Sequence, residues 1–137
     1  MKTDEKKTRT ESDLLGSVEV PEDVLYGVQT MRGLENFAIS KFHLCDYPRF
    51  IEGLAVRAGK FHEFFPVDMI QGGAGTTTNM NANEVIANRA LEIMGHHRGE
   101  YQYCSPNDHV NCSQSTNDAY PTAVRIALVR SIEKLVA

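Results

Sequence analysis

Two segments of the chain carry apolar residues at helical spacing, and each follows a polar turn rich in glycine or serine. The first turn, QGGAGTTTNMNANEV at Gln71–Val85, leads into a helix whose face is approximated by Val85, Ile86, Ala90, Ile93 and Met94. Thr76–Asn79 supply N-cap candidates and Gly95 the C-terminal stop. The second turn, SPNDHVNCSQSTNDAYPT at Ser105–Thr122, predicts a helix starting at Ser115–Asp118, with Pro121 tolerated in its first turn. Val124, Ala127, Leu128, Ile132 and Leu135 then recur on one face, a pattern still running at Ala137, as in a helix cut in mid-pattern. Earlier in the chain the signals are shorter. Pro48–Lys60 starts as a helix, with Phe50, Ile51, Leu54 and Ala55 on one face, and stops at Gly59. Leu14–Arg32 predicts a strand, a turn and an extended segment around Pro21 and Gly27. The FHEFFPV run at Phe61–Val67 must be buried or form an interface. There is no internal repeat and no low-complexity tract.

Composition narrows the class. A chain of 137 residues suits one small domain with a core of its own. Fourteen basic against eighteen acidic residues give a net charge of −4, and no basic patch interleaves with aromatics, which argues against nucleic acid as a partner. The opening MKTDEKKTRTESD is charged with no apolar core behind it, so no secretory signal is expected there, and residues 1–13 are expected to form a mobile tail. No run reaches membrane-spanning length. Cys45, Cys104 and Cys112 are odd in number and lack CxxC spacing, so reduced thiols and a cytoplasmic setting are expected.

The two turns hold the candidate chemistry. A helix N-terminus presents unpaired N–H groups and a partial positive charge, which favour carboxylate or phosphate. Gly72, Gly73 and Gly75 let backbone approach a ligand, and Thr76–Thr78 add hydroxyls. Ser115, Thr116 and Asn117 bring the same equipment to the second helix start, so the pair suits a small di-anion. The plainer alternative is that both are capping turns, whose side chains satisfy only their own backbone. The GGAG run lacks the lysine of a P-loop and is weak evidence for a nucleotide. His96 and His97 lie near Glu92 and Cys104 but read better as a solvated turn than as metal ligands. His109, among Asn107, Asp108 and Asn111, is either a proton-transfer or orienting group or a satisfied structural histidine. Cys112 has no activating base nearby and reads as inert.

Three runs carry a more specific signal: VPEDVLYGVQTMRGLENF, FPVDMIQGGAGTTTNMNANEVIANRALEIMG and GEYQYCSPNDHVNCSQSTNDAYPT. Over nearly all of Leu14–Ala137 they resemble the N-terminal part of the aspartases of the fumarase/aspartase superfamily, and PNDHVN and QSTND sit nearer the aspartases than the class II fumarases. The resemblance implies a mainly α fold. It comprises an N-terminal lyase domain over residues 14–114, with a short β or extended segment, and the start of a central helical domain over residues 115–137. It also implies a homotetramer without redox or organic cofactor, in keeping with the residues themselves, from which no metal is expected. The expected reaction cleaves a bond beta to a carboxylate, converting L-aspartate to fumarate and ammonia through a doubly charged aci-carboxylate. Position by position, Thr76 matches the family's substrate-carboxylate threonine, and Ser115, Thr116 and Asn117 match its second substrate-contact turn. Arg32, in YGVQTMR, is a weaker candidate for substrate or loop contact. Two departures accompany the match. About thirty residues are absent near Ala58–Lys60, roughly 45 Å if all helical. The GSSxMPxKxNP-type loop, which holds the general-base serine and a substrate lysine, has no counterpart. The chain therefore carries two of the three active-site regions, which different subunits contribute, and is expected to be catalytically incomplete alone. A class II fumarase-type hydratase fragment and a non-catalytic carboxylate-binding or interaction module are the competing readings.

Overall fold

The computed structural model describes residues 7–54 and 61–137. The chain opens with an antiparallel hairpin of β1 (Thr8–Asp13) and β2 (Gly16–Pro21), in which Glu11 faces Val18 and Asp13 faces Gly16. Residues 8–13, expected in a mobile tail, are therefore a strand. Polar pairing explains it: the Thr8 and Thr10 hydroxyls bond to the Glu19 carboxylate. The Arg9 guanidinium donates to the carbonyls of Pro21, Val24 and Tyr26 and to Glu11. The tip leaves Leu14 and Leu15 exposed, while Val20 and Glu11 face inward and are buried.

Four α-helices follow among the described residues. α1 spans Val28–Asn36, α2 Pro48–Leu54, α3 Thr76–Ile93 and α4 Thr116–Val136. The helix α1 replaces the end of the extended segment expected before Arg32. The expected stop of α2 at Gly59 lies outside the described residues. Leu25, Leu44, Phe50, Ile51, Phe65, Val67, Ala82, Val85 and Ala123 form the apolar core. Within the FHEFFPV run Phe65 is fully buried, and Phe61 and Phe64 pack against the core from its edge. The helix α4 crosses α2 closely: a Cβ on Gly53 would lie 2.6 Å from the Ala123 carbonyl, and Phe50 meets Tyr120 edge-on at 5.1 Å between ring centres.

The helix α3 departs from the pattern expected of it. Val85 is buried, but Ile93 and Met94 are 73% and 52% exposed. The buried face is instead largely polar, with Thr78, Asn79, Asn81, Asn83, Glu84 and Asn88 beside Ala82, Val85, Ala87 and Leu91. Neighbouring loops and helices satisfy most of those polar groups, while Asn81 Oδ1 is buried without a partner among the described residues. Asn81 donates to the Phe64 carbonyl at 2.9 Å, and Asn88 to the Leu25 carbonyl at 2.7 Å. Nor do Thr76–Asn79 cap α3. Gly75 is the N-cap at φ +89°, and Gln71 does the capping, its Oε1 accepting from Thr78 N at 2.8 Å and its Nε2 donating to Thr78 Oγ1 at 2.7 Å. In α4 the periodicity is as expected, with Val124 and Ala127 against the core, but Leu128, Ile132 and Leu135 are 55%, 57% and 86% exposed. Among the described residues no helix is long and apolar enough to cross a membrane.

Candidate functional site

The GGAG turn is built from three consecutive left-handed residues, Gly73 at φ +72°, Ala74 at +51° and Gly75 at +89°. Such a run turns the backbone sharply into α3, and Gly75 has a second reason to lack a side chain. A Cβ there would overlap the Tyr120 ring of α4, 2.7 Å from Cε2. The start of α3 and the start of α4 are thereby brought into contact. Between them lies a groove of ≈ 360 Å³ lined by Met69, Gln71, Ala74, Gly75, Asn117, Tyr120 and Pro121.

The candidate residues divide around this groove. Asn117 lines it, whereas Thr76, Ser115 and Thr116 do not. The Thr76 hydroxyl is exposed and donates to the Gly73 carbonyl. Ser115 is the N-cap of α4: its Oγ accepts from Asn117 N at 3.2 Å, which leaves the hydroxyl proton free for another acceptor. Within the described residues the side chains of Thr116 and Asn117 make no hydrogen bond of their own. Arg32 lies elsewhere. It grips Asp13 with both arms, Nε to Oδ2 at 2.7 Å and Nη2 to Oδ1 at 2.8 Å, and ties α1 to the hairpin. The same contact holds the Asp13 carboxyl below the usual carboxylate range. His109 sits in the single wide turn Pro106–Val110 with its ring exposed. Its Nδ1 accepts from Ser105 N at 2.8 Å, so the neutral ring carries its proton on Nε2. His96 stacks on Tyr103 with ring centres 3.9 Å apart.

Residues 49–137 match the sequence profile of a family described as Lyase. The aspartate ammonia-lyase of Helicobacter pylori is 49% identical over 159 residues, covering 94% of this chain and 34% of that protein. This chain belongs to the lyase family of the fumarase/aspartase superfamily. The Escherichia coli K12 aspartate ammonia-lyase is 48% identical over 159 residues, with 93% of this chain and 33% of that protein covered. Among solved structures, a fumarate lyase:delta crystallin from Brucella melitensis superimposes with a TM-score of 0.87 and 46% identity over 91% of this chain and 36% of that one. A class II fumarase from Schistosoma mansoni is more distant, at TM-score 0.72 and 32% identity over 89% of this chain and 32% of that one. The mainly helical fold with one small sheet is the fold of these neighbours. This lyase chain spans about a third of the length of the relatives it matches. An alignment of 159 positions against 94% of 137 residues also leaves roughly thirty positions of the H. pylori relative without a counterpart, the size of the expected shortening.

A second densely bonded site in this lyase chain has no motif in the sequence. Every N–H from Gly27 to Thr30, at the start of α1, is accepted by a carboxylate. Glu84 of α3 takes Gly27 N at 2.8 Å, Gln29 N at 2.7 Å, Thr30 N at 3.0 Å and the Thr30 hydroxyl at 2.6 Å. Glu11 of β1 takes Val28 N at 2.9 Å. The helix start is an anion site filled by the protein's own side chains. Glu84 is fully buried, and burial pushes its carboxyl up to about 7 against the opposing pull of the Thr30 hydroxyl and the three backbone donors. Burial, with the nearby Glu11 and Glu84 charges, also raises the Tyr101 phenol. Gly27 sits where nothing larger fits, since a Cβ would lie 2.5 Å from Glu11 Oε2 and 3.0 Å from Glu84 Oε1. The signal available in the sequence was the spacing of Asn81, Glu84 and Asn88 at i, i+3 and i+7, a polar stripe in a helix short of apolar residues.

Proposed function

We propose that this chain is the N-terminal part of an aspartate ammonia-lyase-type enzyme, which converts L-aspartate to fumarate and ammonia. The observation that carries the reading is relatedness: 48–49% identity to aspartate ammonia-lyases against 32% to a class II fumarase. The geometry supports it. Two helix starts meet at one groove lined by Gln71 and Asn117, with Thr76 next to its Gly75 wall and Ser115–Thr116 just before Asn117 in the chain. The positive dipole ends of α3 and α4 beside it favour a carboxylate. The Thr76 hydroxyl and the Ser115–Asn117 turn would hold the substrate's carboxylates. Donors aimed at the carboxylate that gains charge as the proton leaves would lower the barrier, each by about 3–4 kcal/mol. Proton removal leaves a doubly charged aci-carboxylate, whose collapse breaks the C–N bond and expels ammonia. Residues 115–137 read as the start of a central helical domain, and the exposed apolar face of α4 suits the homotetramer expected of the family. Cytoplasmic location is part of the same proposal, with His109 a second-rank contact and Arg32, bonded to Asp13 away from the groove, a structural tie.

The test follows fumarate by its ultraviolet absorbance. The 137-residue chain is expected to be inert alone and to gain turnover of L-aspartate, not malate, when mixed with the remaining two thirds of a related aspartate ammonia-lyase. Clear turnover by the chain alone would overturn the division of the site among regions. Carboxylate binding without any rescue would favour a binding module instead. In a full-length relative carrying these residues, Thr76→Val, Ser115→Ala, Thr116→Val and Asn117→Ala are each expected to lower kcat/KM about tenfold to a thousandfold. If the turns only cap their helices, the variants melt earlier, by about 1 kcal/mol, with normal kinetics.

A further inference from the structure

Asn111 lies half-buried in the loop between α3 and α4. Its Oδ1 accepts from two amides at once, Asn79 Nδ2 at 2.9 Å and Asn83 Nδ2 at 3.0 Å. Both donors are buried on α3, four residues apart and so on one face of the helix. Burying an amide without a partner is strongly unfavourable, so Asn111 is held where both can reach it. Its other contacts run the opposite way. The Asn111 carbonyl accepts from Gln114 N at 3.2 Å, its Nδ2 points to the Gln114 carbonyl at 3.4 Å, and Gln114 Nε2 closes the loop onto the Val110 carbonyl at 2.7 Å. Gln114 immediately precedes Ser115, the N-cap of α4, and Asn79 lies three residues beyond Thr76. One side chain therefore spans the short path between the two turns.

We propose that Asn111 is a positioning residue, which acts through Gln114 to fix the Ser115–Asn117 turn relative to the Thr76 turn so that both can meet one dicarboxylate. Its purpose rests on the reading of those turns as carboxylate contacts; its geometry does not. Loss of the node frees the loop to move while the hairpin and α1, tied by separate bonds, stay in place.

Amide hydrogen exchange on the 137-residue chain tests this. The reporters are the amides of Asp118 and Ala119, which donate to the Ser115 carbonyl at 3.0 and 2.9 Å. The controls are Val28 and Thr30, held by Glu11 and Glu84. Asn111→Leu is expected to speed exchange at the reporters about tenfold, with the controls unchanged. Asn111→Asp keeps an oxygen that both asparagines can bond and is expected to restore most of the protection. Unchanged reporters, equal acceleration at the controls, or no rescue by Asn111→Asp would each overturn the proposal. If Asn111→Leu does not fold, Asn83→Ala, which removes one of the two donors, is judged by the same reporters and controls. Repeating the exchange with fumarate separates the two layers. Added protection at Asn117 that Asn111→Leu abolishes supports the stated purpose, and no protection in the wild type overturns the dicarboxylate reading without touching the exchange result.

Discussion

Removing the Glu84 carboxylate is the sharpest test of how this fold is held together. Its two oxygens are unequal: Oε2 accepts from Gly27 N, Thr30 N and the Thr30 hydroxyl, and Oε1 from Gln29 N alone. Glu84→Gln can set its carbonyl in the Oε2 position and keep three of these four bonds, turning its NH₂ toward a single donor. Glu84→Ala loses all four and leaves the backbone N–H groups of Gly27, Gln29 and Thr30 at the start of α1 without an acceptor. Unmet donors cost about 1–3 kcal/mol each, and part of that is offset because the buried carboxylate is itself unfavourable. A net loss of about 3–5 kcal/mol for alanine and about 1–2 for glutamine is expected, against total stabilities on the order of 5–15 kcal/mol. The pH dependence gives a second reading. The folded-state carboxyl is raised from 4.5 to about 7, so its contribution is fully present below pH 4.5 and is lost as pH rises through about 7. The advantage of wild type over Glu84→Gln should therefore shrink across that window. Urea unfolding followed by circular dichroism at several pH values measures both. An alanine variant within 1 kcal/mol of wild type, or a glutamine variant as damaged as alanine, would refute the capping role.

Three further outcomes are expected. The Asp68 carboxyl feels burial, which raises it, but donation from Ile70 N, from the Ser40 backbone and hydroxyl and from Ile39 N brings it down to about 2. Its support is present above pH 3.8 and is lost as pH falls through about 2, so Asp68→Asn should flatten the acid limb of a thermal melt recorded against pH. Gly75→Ala puts a methyl group into the Tyr120 ring at a left-handed backbone position, and thermal or urea unfolding should show a loss of about 2 kcal/mol or more, with a smaller added loss when it is made in a Tyr120→Ala background. The chain should bind a hydrophobic dye and self-associate with rising concentration through Leu128, Ile132 and Leu135. Dye fluorescence and light scattering should show Leu128→Glu with Ile132→Glu suppressing both, and unchanged association would place the contact elsewhere.

The lessons of this chain lie in which residues were legible in advance. Helical spacing located α3 and α4, because Val124, Ala127 and Leu128 repeat at a period that only a helix brings to one side. Ser115 was readable as the start of α4 since a serine before a helical run serves the helix's own amides, a local relation. Likewise the long runs around GGAG and QSTND sufficed to place the chain among the lyases. What sequence pattern could not supply was every relation between distant segments. Thr76–Asn79 looked like caps, yet Gln71 bonds Thr78 instead because the left-handed turn at Gly73–Gly75 folds it back over the helix start. Ile93 and Met94 looked like core and are exposed, because the partners of α3 are carbonyls and N–H groups, which reward asparagine and glutamate rather than apolar side chains. Residues 8–13 looked like a charged tail because the carbonyls that Arg9 binds lie twelve to seventeen positions further along. The sequence alone determined the periodic helices, the local start of α4 and the family. Tertiary structure alone decided that two helix starts share one groove and that Glu84 caps α1, because a hydrogen bond between residues 54 to 57 positions apart leaves no periodic trace in the chain.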